Sequence, residues 1–183
     1  MIINRQEFQV KGLHYTIRSA IPGDAKKLSA LRLQVDGETE HMDRIPGEDY
    51  IDEEGFKAII EKDTNHPHNI CLAAEMNGQI IGYSRCAGYD LRRFLHKAEF
   101  GVGVLKEYWG FGIGRNLLKA SIDWADANGI TKMILSGVLE MNEPAVRLYK
   151  SLGFEIEGLL KQDRILSDGK YYSTYMMARY NPA

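Results

Sequence analysis

Between residues 102 and 115 the chain reads Val102-Gly103-Val104-Leu105-Lys106-Glu107-Tyr108-Trp109-Gly110-Phe111-Gly112-Ile113-Gly114-Arg115. A strand-like run ends, glycines follow at alternate positions, and an amphipathic helical pattern begins. The first turn of a helix carries free N–H groups and a partial positive charge, and glycines let a ligand approach the main chain. Such a junction suits a phosphate or pyrophosphate held by backbone amides. A plain turn under tight strand–helix packing would use the same glycines. Two familiar phosphate motifs do not fit. Gly114-Arg115-Asn116 lacks the Gly-Lys-Ser/Thr of the P-loop. The third glycine of the dinucleotide fingerprint is replaced by Arg115 or Leu117, depending on which glycine is counted second.

Other reactive side chains are sparse. Cys71 and Cys86 lie in apolar strand-like stretches without metal-ligand spacing, which points to two buried thiols in a reducing cytoplasm, with a disulfide between them as the alternative. His66 and His68 flank Pro67 with no further ligands close by, so no metal is expected. The chain's 23 Lys+Arg nearly balance 25 Asp+Glu, which excludes a general polyanion binder and with it a nucleic-acid partner. No run of apolar residues reaches membrane-span length, and the N-terminus has no signal-peptide pattern.

The elements that must position the glycine turn follow from periodicity and punctuation. Phe8 to Val10 and His14 to Ile21 flank Lys11-Gly12 as an opening hairpin. Asp24 is expected to cap a helix running to about Val35, and Asp52-Glu53-Glu54 to open a second one, with a polar loop between. Asn77-Gly78 joins strands Asn69 to Met76 and Gln79 to Tyr89, and Ala98 to Leu105 is a third. A helix Arg115 to Asn128, a strand Lys132 to Leu139 and a short helix Glu143 to Ser151 come next. Strands Phe154 to Leu166 and Tyr171 to Arg179 close the chain. The order predicts a mixed sheet with helices on both faces.

Gly112 and Gly114 match the Gln/Arg-x-x-Gly-x-Gly/Ala motif of the GNAT superfamily of acetyl-CoA-dependent N-acetyltransferases, with Trp109 at the leading Gln/Arg position. Asn142-Glu143-Pro144-Ala145-Val146-Arg147-Leu148-Tyr149-Lys150-Ser151-Leu152-Gly153-Phe154 resembles the same family's Asn-x-x-Ala-x-x-Leu-Tyr-x-x-x-Gly-Phe signature. The resemblance implies an α/β fold: a mixed, mostly antiparallel sheet of about seven strands with a central splay and helices on both faces. One domain would span residues 1–183, with its core at about 14–180.

By the same resemblance, Val102, Gly103 and Val104 would pair with the pantetheine arm of acetyl-CoA as an added strand. The amides of Trp109, Gly110, Phe111, Gly112, Ile113, Gly114 and Arg115 would hold the pyrophosphate, Arg115 adding its charge. Asn142 would contact the co-substrate directly or through water. Tyr149 would be the general acid for the departing thiolate, and Glu99 the base, acting through water. Neither cysteine lies near these motifs, so direct transfer without an acyl-enzyme is expected. Residues 36–54 are rich in Asp and Glu against Arg44 alone, a rim that would draw a cationic amine, although loops and helix starts are commonly acidic. Thr39-Glu40-His41-Met42 resembles a stretch of related acetyltransferases, which makes Glu40 the expected acceptor-pocket residue. The implied acceptor is a primary amine on a small molecule (an amine, amino acid or antibiotic-like compound). A protein N-terminus of the ribosomal-protein type is the alternative acceptor, and a non-catalytic acyl-CoA sensor the rival class. A homodimer is left open.

Overall fold

The computed structural model describes residues 2–181; Met1, Pro182 and Ala183 lie outside the described residues. Eight strands form one sheet in the order β1-β2-β3-β4-β5-β6-β8-β7, one strand more than the resemblance implied. They are β1 (Gln6–Val10), β2 (Leu13–Ser19), β3 (Ile70–Met76), β4 (Gln79–Gly88), β5 (Lys97–Val104), β6 (Lys132–Leu139), β7 (Phe154–Ile165) and β8 (Tyr171–Tyr180). All neighbours are antiparallel except β5 and β6, which run parallel. The helices are α1 (Ala25–Glu38), α2 (Glu53–Asn65), α3 (Ile113–Ala127) and α4 (Glu143–Ser151). Among the described residues no helix is long and apolar enough to cross a membrane.

Successive side chains on a strand face opposite ways, and the sheet uses both faces. Ile81 joins Leu117 and Leu118 of α3 in one apolar core, while Ile80 joins Leu28, Leu31 and Ile60 of α1 and α2 in the other. Ile70 to Ala74 is buried on both faces, which explains its unbroken apolar run.

The parallel pair is short. Its register ends at Glu99 opposite Ile134, after which β5 and β6 separate. β6 carries a bulge between Leu135 and Val138, where Gly137 takes φ +69°. A bulge bends its strand, and left-handed backbone is cheap only for glycine, so Gly137 turns β6 away from β5. The splay is therefore written into β6 as much as β5.

α1 also carries a buried polar stripe, Ser29, Arg32 and Asp36, at helical spacing. Ser29 Oγ donates to Ile51 O (2.7 Å), Arg32 Nη1 donates to Asp49 O (2.6 Å), and Asp36 accepts from Arg44 Nε (3.3 Å). The loop between α1 and α2 is thus tied along the helix, and its residues 41–44 are held against the splay.

One expected cap differs. Asp24 makes no side-chain bond to α1; its carboxylate instead pairs with Arg18 (2.6 Å) and accepts from Ile21 N. A buried carboxylate beside a guanidinium gains more there than at an N-cap. Burial opposes ionisation of Asp24, but the Arg18 and Ile21 bonds prevail and its pKa falls below the ordinary range. Asp52 does cap α2, accepting from Gly55 N at 2.8 Å.

Candidate active site

The strand–turn–helix junction forms the main-chain wall of a groove. Gly110 and Gly112 both have positive φ (+82° and +76°), turning the chain so that α3 begins at Ile113. Tyr15, from the β1–β2 hairpin, braces this turn: its hydroxyl donates to Phe111 O (3.3 Å) and accepts from Asn116 Nδ2 (2.7 Å). With Phe111's carbonyl so engaged, the free N–H groups of the first turn of α3 remain for an anion. Arg115 lines the groove and donates to Ser151 Oγ (3.0 Å). Lys11 Nζ stands 4.0 Å from where a Cβ on Gly110 would lie, a second cation near the turn. Sequence reasoning missed Tyr15 and Lys11, because both come from a hairpin far away in the chain.

The groove encloses about 450 Å³ and runs from this turn, past Val102–Val104, to α4. Leu105 N donates to Ile81 O, and His96 O, on the β6 side, accepts from Lys132 N. Main-chain groups alternate along a strand, so those of Phe100, Val102 and Val104 face the splay, and those of Gly101 and Gly103 face β4. Gly103 therefore offers no free main-chain group to an added strand. It is a packing glycine: a Cβ there would meet the Tyr83 ring at 3.0 Å. Trp109, 45% exposed, donates from Nε1 to Val104 O at 2.8 Å and so covers one acceptor of the splayed edge.

A second cavity, of about 420 Å³, opens on the other side of the splay and holds Glu99 and Gly101 on its wall. The two cavities share His41, Met42, Val102, Asn142 and Tyr149. Tyr149 sits on α4, with burial pushing its pKa up to about 12, so the phenol stays protonated across the neutral range. Asn142 caps α4, its Oδ1 accepting from Ala145 N (3.4 Å), while lining both cavities. Glu99 lines only the second cavity. It lies three residues before Val102, about 10 Å along the strand, a span longer than one bridging water covers.

The second cavity also holds three guanidiniums. Arg85 binds buried Asp63 through Nε and Nη2 (2.6 and 2.8 Å). Arg44 binds buried Asp36 through the same two nitrogens (3.3 and 3.5 Å). Arg164 of β7 pairs with Asp43 and donates to His41 O. No local pattern in the chain marks Arg85 or Arg164. A single glycine inside a strand-like run, Gly137, was the available pointer to the bulge over which Arg164 passes: a Cβ on Gly137 would stand 2.6 Å from Arg164 Nη2.

The expected acidic rim is largely engaged elsewhere. Glu38 accepts from Lys106 N, Glu48 from Ile45 N, and Asp43, Asp36 and Asp49 pair with arginines. Glu40 does not stand with Tyr149 and Glu99. It lies in an adjoining cavity of about 630 Å³ and accepts from Ser167 N at 2.7 Å; the Ser167 hydroxyl first, and this main-chain bond second, hold its pKa below the ordinary value.

Comparison with known proteins agrees with this geometry. Residues 37–154 match the model of the acetyltransferase (GNAT) family. The L-amino acid N-acetyltransferase AaaT of Escherichia coli is 32% identical over 108 residues, which is 59% of this chain and 66% of AaaT. An acetyltransferase of the GNAT family from Streptococcus pneumoniae superposes with TM-score 0.87 at 31% identity, covering 91% of this chain and 99% of that one. YncA of Salmonella typhimurium, whose structure holds its cofactor acetyl-CoA, superposes with TM-score 0.80 at 25% identity, covering 92% and 95%. A glycine turn at a strand–helix junction, a splayed sheet and a phenol at the splay thus occur in a chain that belongs to the GNAT family of acetyl-CoA-dependent N-acetyltransferases.

Proposed function

We propose that this enzyme acetylates the α-amine of a small, carboxylate-bearing acceptor of the amino-acid class. The observation that carries the reading is the second cavity: it meets the groove at Tyr149 and is walled by Arg44, Arg85 and Arg164. Arg85 and Arg44 each bind a buried aspartate side-on through Nε and Nη2, so Nη1 takes no part in the pair. Guanidiniums held rigidly in this way suit a planar carboxylate. The similarity to an L-amino acid N-acetyltransferase supports the same class.

The groove fits acetyl-CoA in three respects: free amides at the start of α3, open main-chain groups on β5, and the cations Arg115 and Lys11 nearby. Bound there, acetyl-CoA supplies an activated thioester. Val102 and Val104 would bind the pantetheine arm by main-chain bonds, Trp109 covering the Val104 carbonyl. Asn142 would line the thioester end, and Tyr149 would hold the proton destined for the sulfur. The carboxylate of a free amino acid holds its α-amine above the ~8 of a peptide N-terminus, so deprotonation at neutral pH costs more than the ~1 kcal/mol of that group but less than the ~4–5 kcal/mol of a lysine-like amine near 10.4. The α-amine is thus the easier nucleophile for a site with weak bases. Cys71 and Cys86, both free and buried, support our reading of a cytoplasmic protein.

The test is thiol release from acetyl-CoA with matched acceptors: amino acids, their amides and their decarboxylated amines. The amino acids are expected to exceed the other two in kcat/KM by tenfold or more, as for a lost charged hydrogen bond. Equal rates with all three would overturn the carboxylate reading. Tight acetyl-CoA binding with no turnover on any amine, peptide N-termini included, would favour a sensor.

A further inference from the structure

His41 stands where the two cavities meet, and its position is over-determined. Its N–H donates to Thr39 Oγ1 (3.1 Å), and its carbonyl accepts from Arg164 Nη1 (3.4 Å). Its ring stacks on Trp109, with centroids 6.4 Å apart and planes 22° from parallel. Trp109 is itself tied to Val104 O on the splayed strand. The imidazole is therefore referenced to the same strand that would hold the thioester. Of the five residues shared by both cavities, only His41 and Tyr149 carry a group able to move a proton.

Resting on the function proposed above, we propose that His41 is the base that takes the proton from the attacking amine. The amine nitrogen's lone pair forms the bond to the carbonyl carbon, and the N–H proton passes to an imidazole nitrogen. The carbon–sulfur bond breaks, its electron pair stays on sulfur, and the Tyr149 phenol protonates that sulfur. The imidazolium then returns its proton through water to the Tyr149 phenolate. The sum is amine plus thioester giving acetamide plus thiol, with both residues restored.

The surroundings favour a neutral imidazole with a lone pair available. Partial burial lowers the His41 pKa from its usual 6.5, Glu40 beside it opposes this, and Arg164 of β7 reinforces it. The remaining charges around the two cavities are mixed: Asp43 and Arg44 from the loop, Arg85 from β4, Glu99 from β5 and Arg115 from α3. Tyr149 of α4 adds no charge while protonated.

The experiment compares His41→Gln and His41→Phe with the wild type across pH; the phenyl ring retains the stack on Trp109. Both variants are expected to lose about 100-fold in kcat, the usual scale for a positioned base, with acetyl-CoA KM within twofold. The wild-type kcat/KM should rise with pH through a midpoint below 6.5, as His41 gives up its proton, and both variants should lack that limb. A readout independent of turnover is nitrogen NMR of the histidine rings. The His41 signals should shift on adding coenzyme A and again on adding acceptor. Variants that keep the acid limb and at least a third of kcat would overturn the assignment, as would a His41 signal that ignores both ligands. A limb that vanishes only in Glu99→Gln would move the role to Glu99. A wild type that turns over amines while these variants match it refutes His41 alone; a wild type inactive on every amine refutes the function as well.

Discussion

The groove and the second cavity, which we propose receives the acceptor, meet at Tyr149 but are built in opposite ways. The groove takes most of its wall from one continuous stretch, residues 102–115, and there offers mainly main chain. The acceptor cavity draws side chains from β4, β5, β6, α4, β7 and the α1–α2 loop. A ligand shared by many enzymes can be held by main-chain groups that any sequence supplies, provided glycines permit the turn. A ligand particular to one enzyme must be read by side chains, and these can come from anywhere in the fold. Substitutions should therefore act very differently on the two sides of the splay.

The sharpest point lies where the sides meet. Tyr149→Phe keeps the ring against Phe154 and removes only the hydroxyl. It should lower kcat about 100-fold while leaving acetyl-CoA affinity within twofold, measured by steady-state kinetics and titration. A comparable loss of acetyl-CoA affinity would mean that the phenol belongs to the groove's binding surface, and the division between the two sides would blur.

The contrast in construction also explains what could be read in advance. The glycine turn and the α4 signature are local patterns, and the structure places them at one splay. α3 starts at Ile113, two residues earlier than the expected Arg115, because Gly112 already turns the chain. The helix starting at residue 53 announces itself through Asp52. By contrast Arg164 and Asp43 are 121 residues apart in sequence, and nothing near either signals the pairing. Residues 36–54 look like a free acidic rim until α1's buried polar stripe and the arginines are seen to engage them. Asp24 has the type and position of a cap but sits beside Arg18, a partner that only strand pairing supplies. Local chemistry is legible where the chain itself makes the contact; it fails where the fold provides a stronger partner.

A middle-sized effect is expected on the acceptor side. Gly101 shares a face with Glu99, lines the acceptor cavity, and has nothing within 4 Å of a built Cβ. Gly101→Leu should therefore fold and fill acceptor space. The acceptor KM should rise about tenfold while acetyl-CoA affinity stays within twofold. The melting temperature should hold or rise, since replacing a strand glycine stabilises by about 0.4–1 kcal/mol through the unfolded chain. Gly103→Ala, which meets the Tyr83 ring, should instead lower the melting temperature. Weakened acetyl-CoA binding in Gly101→Leu would show that the two ligands overlap on β5.

The smallest effects should fall on the main-chain side, and they separate two glycines of one motif. Gly112 has φ +76°, so alanine there meets left-handed strain of about 1–2 kcal/mol. Gly112→Ala should then weaken acetyl-CoA binding by up to about tenfold as the turn shifts. Gly114 lies inside α3 without positive φ, and its built Cβ would meet only Val104 Cγ2, at 3.9 Å. Gly114→Ala should leave acetyl-CoA affinity within twofold, and alanine's better helix propensity should stabilise α3 by up to about 1 kcal/mol. Calorimetric titration and thermal melts read both. Equal weakening in the two variants would mean that the ligand approaches the helix backbone at residue 114 closely enough to exclude a methyl group. In that case the absence of a side chain, and not the turn alone, would be what the groove requires.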